Sequence, residues 1–147
     1  MISRIDRTEM LMRVATIVSA RGTCNRAQVG AVLARDGRII STGYVGSPAG
    51  TPHCIDVGCE LDPTTGGCIR TVHAEANAIA FAARYGISTE NTDLYCTHSP
   101  CGSCAKLIIN AGISQLVYEQ EYRDLRPLVL LAQVGIEINK NAPEYPS

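Results

Sequence analysis

The sequence lacks a basic block, a long apolar run and any internal repeat, and each lack removes a class of function. Its 147 residues carry 13 basic and 14 acidic side chains, for a formal net charge of -1. Strong electrostatic binding to duplex or single-stranded nucleic acid needs several clustered lysines or arginines, and no such cluster is present. A small anionic substrate stays open, because one or two arginines suffice for a phosphate. No run is long enough to span a bilayer. The segment from Met1 to Ala20 alternates charged and apolar residues and has no apolar h-region of a signal peptide. A cytoplasmic protein without nucleic-acid or membrane partners is therefore expected.

What is there fits one globular domain over 1–147. Hydrophobic residues make up 46% of the chain, charged residues only 18%, which argues against disorder. Leu11, Val14, Ala15 and Val18 are spaced like one face of a helix from Arg7 to Arg21. The apolar run Ala27–Ala34 has strand length. Asp36-Gly37 is a hairpin turn signal, and Arg38 to Tyr44 is the returning strand. The segment 46–70 is rich in Gly, Pro, Cys and Thr and reads as a long inserted loop, a form that needs a functional reason. Further on, helices are expected at His73–Arg84, Cys101–Asn110 and Leu125–Gln133. Strands are expected at Asp93–Thr97, Ser114–Glu119 and Ile136–Ile138. A polar tail, 139–147, closes the chain and reads as mobile or used in assembly. Strands alternating with helices after a hairpin imply an α/β fold, a mixed sheet covered by helices.

Seven cysteines in a reducing compartment favour metal ligation over disulfides. His73 and the pair Cys101 and Cys104 offer one imidazole and two thiolates. That is the donor set of a catalytic zinc, which leaves a fourth position for water. Cys101 and Cys104 stand i, i+3 on one helix face. Two helix N-termini at one spot bring partial positive charge to the thiolates. Glu75, two residues after the histidine, can carry the water's proton to a ring nitrogen and then to the leaving amine. The pairing of H-x-E with P-C-x-x-C marks zinc deaminases acting at C4 of cytosine or C6 of adenine. A thioredoxin-like dithiol would explain Cys101 and Cys104 but not His73 and Glu75. A purely structural zinc needs four protein ligands rather than three and an acid. Cys96 reads as a buried small hydrophobe.

Cys24, His53, Cys54, Cys59 and Cys68 lie in loops. A structural zinc held by four cysteines, or by three and a histidine, would order the segment 46–70. The alternative is free thiols in a reducing cytosol.

With these motifs in view, the chain resembles the deoxycytidylate deaminases of the cytidine deaminase-like superfamily, in their bacterial and phage branch. The likeness runs from about Arg4 to Tyr122. It rests on Cys24-Asn25-Arg26 ahead of Val29-Gly30-Ala31-Val32, on Ile40-Ser41-Thr42-Gly43-Tyr44, and on Gly46-Ser47-Pro48-Ala49-Gly50. It rests further on His73-Ala74-Glu75-Ala76-Asn77-Ala78-Ile79 and on Thr97-His98-Ser99-Pro100-Cys101-Gly102-Ser103-Cys104-Ala105-Lys106. The resemblance implies a three-layer α/β/α sandwich with a mixed five-stranded sheet. It implies hydrolysis of dCMP to dUMP and ammonia in support of thymidylate synthesis. It also implies activation by dCTP with Mg2+, inhibition by dTTP, and a homohexamer. His73, Cys101 and Cys104 would hold catalytic Zn2+, with Glu75 as proton shuttle. Ser99 and Pro100 would line the base pocket, Arg26 would meet the phosphate, and Tyr122 would lie near the nucleotide. An effector site would use Gly46, Ser47, Pro48 and Gly50 and signal through Arg84. Cys24 and Cys54 match a structural zinc site of some phage members. The expected second set is Cys24, Cys54, Cys59 and Cys68, with His53 in reserve. One position departs from the pattern: Val45 stands where an asparagine is usual, and its side chain neither donates nor accepts. Other superfamily activities, on a modified cytidylate or on tRNA adenosine, are the alternatives, and the near-neutral charge argues against tRNA.

Overall fold

The computed structural model describes residues 1–141. Asp6 caps the first helix, α1 (Arg7–Ser19), by accepting from the Glu9 amide at 2.7 Å. The hairpin follows as β1 (Gly30–Arg35) and β2 (Arg38–Tyr44). Asp36 and Gly37 turn it with φ of 52° and 74°, the left-handed values that a two-residue hairpin turn requires. Then come α2 (Cys54–Val57), α3 (Ala74–Arg84), β3 (Asp93–His98), α4 (Gly102–Asn110), β4 (Gln115–Gln120), α5 (Arg126–Gln133) and β5 (Glu137–Lys140). No helix among the described residues is long and apolar enough to cross a membrane.

The five strands form one mixed sheet in the order β2-β1-β3-β4-β5. The β1 strand is antiparallel to both β2 and β3, while β3, β4 and β5 run parallel. The parallel pairs need crossovers, and α4 and α5 supply them. Side chains alternate between the two faces. Val32, Ala34, Tyr95 and Val117 pack against Leu11, Met12 and Ala15 of α1. Ala31, Leu33, Leu94, Cys96, Leu116 and Tyr118 face the other way, onto Ala74, Ala78, Ala105, Ile108 and Leu131 of the remaining long helices. Helix layers on both faces make the expected three-layer α/β/α sandwich.

Most boundaries shift by a residue or two from the sequence reading, and three differences bear on the architecture. The first strand begins at Gly30 rather than Ala27. The segment 46–70 is not structureless, for it contains α2 and a Leu61–Cys68 bridge. β5 runs two residues into the segment assigned to the tail, and the Asn141 amide donates to the Tyr118 carbonyl at 2.7 Å. The rest of that tail lies outside the described residues.

Two contacts set α3 on the sheet. A Cβ on Gly43 would stand 2.2 Å from the Ala74 carbonyl oxygen and 2.5 Å from the Ala78 nitrogen. Only glycine lets the helix lie this close to β2. Asn77 Nδ2 then donates to the Tyr44 carbonyl at 2.8 Å, and Ser41 Oγ to the Ala78 carbonyl at 2.7 Å. The start of α3 is thereby fixed against the hairpin.

Candidate active site

His73 and Cys101 are the N-cap residues of α3 and α4, both in extended conformation with φ of -68° and -75°. Neither side chain caps its helix. Each is turned toward the other: Cys101 Sγ lies 3.3 Å and Cys104 Sγ 3.5 Å from His73 Nδ1. The three donor atoms all lie within 4.8 Å of one another. One nitrogen and two sulfurs gathered so closely suit a tetrahedral zinc with one position left over. Cys104 is buried and Cys101 half-buried. The Cys104 thiol donates to Cys101, and with the His73 imidazole it holds the Cys101 thiol far below its usual range, at about 3. Donation to Cys101 and burial push Cys104 the other way. The hydrogen bond with Cys101 raises the His73 imidazole.

Glu75 lies in the first turn of α3 and is only 4% exposed. Burial raises its carboxyl, against the pull of its own backbone amide and the His73 charge. A carboxyl raised this way exchanges a proton more readily near neutral pH.

His73, Glu75 and Cys101 open onto a cavity of about 420 Å3. Ser99 and Tyr122 line it too, joined by a 2.7 Å bond from the Tyr122 amide to Ser99 Oγ. Pro100 is fully buried beside them and is not part of the lining. Val29 and Val45 form an apolar stretch of wall. Two guanidinium groups reach the cavity. Arg26 is one, and its Nη1 donates to the Gly66 carbonyl at 2.5 Å. Arg123 is the other, 5.4 Å from the Tyr122 ring centroid, and the sequence reading did not find it. The signal that could have found it is its place just past β4. The parallel β3–β4 register sets Gln120 beside His98, at the same sheet edge as Cys101.

The second cysteine set assembles in part. Cys54, Cys59 and Cys68 bring their sulfurs within 4.8 Å of one another. Cys54 and Cys68 are 3.7 Å apart. Cys24 is outside that group, although it is buried close by and its sulfur accepts from the Arg26 amide at 3.4 Å. His53 Nδ1 instead meets Thr23 Oγ1 at 3.0 Å. Burial and the neighbouring thiols push Cys54 up to about 12. Cys68 is lowered to about 7: burial opposes this, but backbone amides at Arg70, Glu60 and Thr71 outweigh it. Cys24 and Cys68 also line the cavity that holds Glu75.

The expected effector residues lie elsewhere. Gly46, Ser47, Pro48 and Gly50 are not part of the cavity lining. The Gly46 amide already donates to the Val72 carbonyl at 3.2 Å. Ser47 Oγ is buried without a partner. Arg84 is exposed at the far end of α3, 6.0 Å from the Tyr85 ring centroid.

The family model for the cytidine and deoxycytidylate deaminase zinc-binding region matches residues 5–120. The chain is 41% identical over 141 residues to ComE operon protein 2 of Bacillus subtilis, covering 95% of this chain and 73% of that protein. It is 34% identical over 170 aligned positions to the deoxycytidylate deaminase of Enterobacteria phage T4, covering 90% of this chain and 88% of that protein. The crystal structure of the dCMP deaminase of cyanophage S-TIM5 in complex with dCMP and dUMP superposes with a TM-score of 0.84. The identity there is 34%, over 95% of this chain and all of that one.

Proposed function

This chain belongs to the cytidine and deoxycytidylate deaminase family, and we propose that it hydrolyses dCMP to dUMP and ammonia. One observation carries the reading: a three-donor cluster and a buried carboxyl open onto a cavity that two arginines also reach. His73, Cys101 and Cys104 would hold the zinc, which when bound lowers the pKa of a water toward about 7. The hydrolysis forms a C–O bond at C4 of the cytosine ring and breaks the C–N bond to the amine. It moves both protons of the attacking water, one to the ring nitrogen, which keeps it, and one to the departing amine, while the water's oxygen becomes the C4 carbonyl. Glu75 is the buried acid placed to carry them. Ser99 and Tyr122 shape the wall at the base, and Val29 and Val45 give the sugar an apolar face. Arg26 and Arg123 meet the phosphate, for which guanidinium geometry is suited.

The further parts of the proposal have their own supports. A second, structural zinc at Cys54, Cys59 and Cys68, with Cys24 closing the set, accounts for three thiols gathered where little apolar core exists. Activation by dCTP with Mg2+ and inhibition by dTTP would act in a homohexamer through the loop 46–50 and Arg84. In support, Arg84 ends the same helix whose start carries His73 and Glu75, so a displacement of α3 moves both. The dUMP formed would supply thymidylate synthesis in the cytoplasm.

The test is ammonia release from dCMP, dCTP, deoxycytidine and tRNA side by side, with zinc-loaded protein. Turnover of dCMP well above the other three supports the reading, and equal or greater turnover of any of them overturns it. Arg26→Ala and Arg123→Ala should each cut turnover of dCMP and hardly touch that of deoxycytidine. For regulation, a sigmoidal dCMP saturation curve should become hyperbolic with dCTP and Mg2+.

A further inference from the structure

Of the seven cysteines, Cys96 alone belongs to neither thiol cluster nor the cavity wall. It sits in the middle of β3, paired with Ala31 on one side and Tyr118 on the other, and is fully buried. The strand's alternation turns its side chain toward the face covered by α3, where it packs in the same core cluster as Ala74 and Ala78. There its Sγ stands 3.5 Å from Glu75 Oε1. A thiol is a weak donor and a carboxyl oxygen a good acceptor, so the proton points from sulfur to oxygen.

We propose that Cys96 is a positioning residue for Glu75: its thiol donates to Oε1 from the sheet side and fixes how the carboxyl faces the cavity. A glutamate side chain has several rotatable bonds and loses freedom when it is ordered. A proton carrier acts efficiently only when held close to its productive geometry by a supporting partner. His73, Cys101 and Cys104, the last also in contact with Glu75, cannot be that partner once they bind metal. Cys96 can, because it stands on the central sheet rather than on a loop. The inference rests on the deaminase reading and adds a residue that neither touches substrate nor binds metal.

The experiment compares Cys96→Ala with Cys96→Ser. A merely structural cysteine in an apolar core predicts that alanine is tolerated better than serine, in stability and in turnover alike. The proposal predicts the reverse order in turnover. For Cys96→Ala, kcat on dCMP falls roughly three- to tenfold, the range one modest hydrogen bond gives. KM and zinc content stay at wild-type values, and Cys96→Ser recovers part of kcat even if it melts lower. Wild-type kcat in Cys96→Ala, or serine slower than alanine, would overturn it. A second measurement does not depend on turnover. The S–H stretching band of Cys96, assigned by its loss in Cys96→Ala, should move to higher frequency in Glu75→Ala. A band unmoved by that change rejects the contact. Failure of the wild-type protein to deaminate dCMP would strike the substrate reading instead, and the S–H band would still decide this one.

Discussion

His73, Cys101 and Cys104 stand at the starts of two helices that pack on the sheet, whereas Cys54 starts a four-residue helix and Cys59 and Cys68 lie in the irregular segment after it, Cys68 on an isolated bridge. In the first set, the start of α3 that carries His73 is held from beneath by Gly43, Asn77 and Ser41 contacts. The second is held by backbone bonds within its own segment, such as Ile69 to Glu60 and Asp62 to Gly67, both 2.8 Å. The two sets share soft donors and compact geometry, so ligand chemistry alone does not separate a catalytic from a structural centre. Support and company do. The first has a buried acid within two residues of a ligand and a scaffold that exists without metal. The second has no such acid, and outside its own segment it is tied down by a few bonds to 23–26, such as Asn25 Nδ2 to the Cys54 carbonyl at 3.0 Å. Yet the two meet at one cavity, since Cys24 and Cys68 also line it.

The sharpest way to test that contrast is Glu75→Gln, which removes the acid and leaves all donors. Zinc content should be unchanged at both sets. Deamination of dCMP should fall about 10²–10⁴-fold, the usual worth of general acid–base transfer. Metal analysis with steady-state rates checks both halves at once, and near-normal turnover would remove Glu75 from the mechanism.

Gly43→Ala attacks the support rather than the chemistry. The new Cβ would lie 2.2 Å from a backbone oxygen of α3, so the helix must shift. Overpacking of this kind costs about 1–3 kcal/mol, and a misplacement of roughly 1 Å at the reacting groups can cost about 10²-fold in rate. The second thiol set should keep its metal. Equal loss of both metals would show that the two supports are not independent.

These supports were unequally legible in the sequence. Asp36-Gly37, the H-A-E spacing and the P-C-G-S-C run are local signals, and each names its structure within a few residues. The donor cluster of the first site followed from them because helix starts are local events. Arg123 did not, because the parallel register of β3 against β4 brings it to the cavity, and register depends on which faces are buried across the whole sheet. The Cys96–Glu75 contact was hidden for the same reason. Cys96 was read as a small buried hydrophobe, and its burial agrees. What no local pattern records is that α3 sets Glu75 against it. Arg26 was read from the sequence as a phosphate contact, but nothing local pointed to the Gly66 carbonyl that its guanidinium meets from 40 residues away.

Cys59→Ser should separate the sets from the other side. One zinc is lost and one retained. Segment 46–70 becomes the first site of proteolysis, since structural zinc contributes folding energy directly. Tm should fall by at least roughly 4 °C, the shift given by about 1 kcal/mol in a chain of this size. Because Cys68 lines the shared cavity, KM for dCMP should rise while kcat changes little. A fall in kcat with an unchanged KM would place the second set in the chemistry instead.

The smallest effect comes from the turn that lies between two of those thiols, Cys59 and Cys68. Asp62 Oδ1 accepts from the Thr64 amide at 2.7 Å and the Thr65 amide at 3.0 Å. These bonds, Thr65 first, hold its carboxyl below the usual carboxylate range. A depressed pKa means the folded state favours the ionised form. The contribution is therefore present above the unfolded value of about 3.9 and is lost as pH falls through the lower folded value. At neutral pH it is complete, and Asp62→Ala removes it. The side chain is not part of the cavity lining, so turnover of dCMP should stay within error of wild type. Release to a chelator of zinc loaded at Cys54, Cys59 and Cys68 should become a few-fold faster, and release of zinc at His73, Cys101 and Cys104 should not change. Asp62→Asn keeps an acceptor oxygen at the turn and should restore most of the slow release. If Asp62→Ala slowed deamination as much as it hastened metal loss, the rigid site and the metal-held segment would be one mechanical unit rather than two.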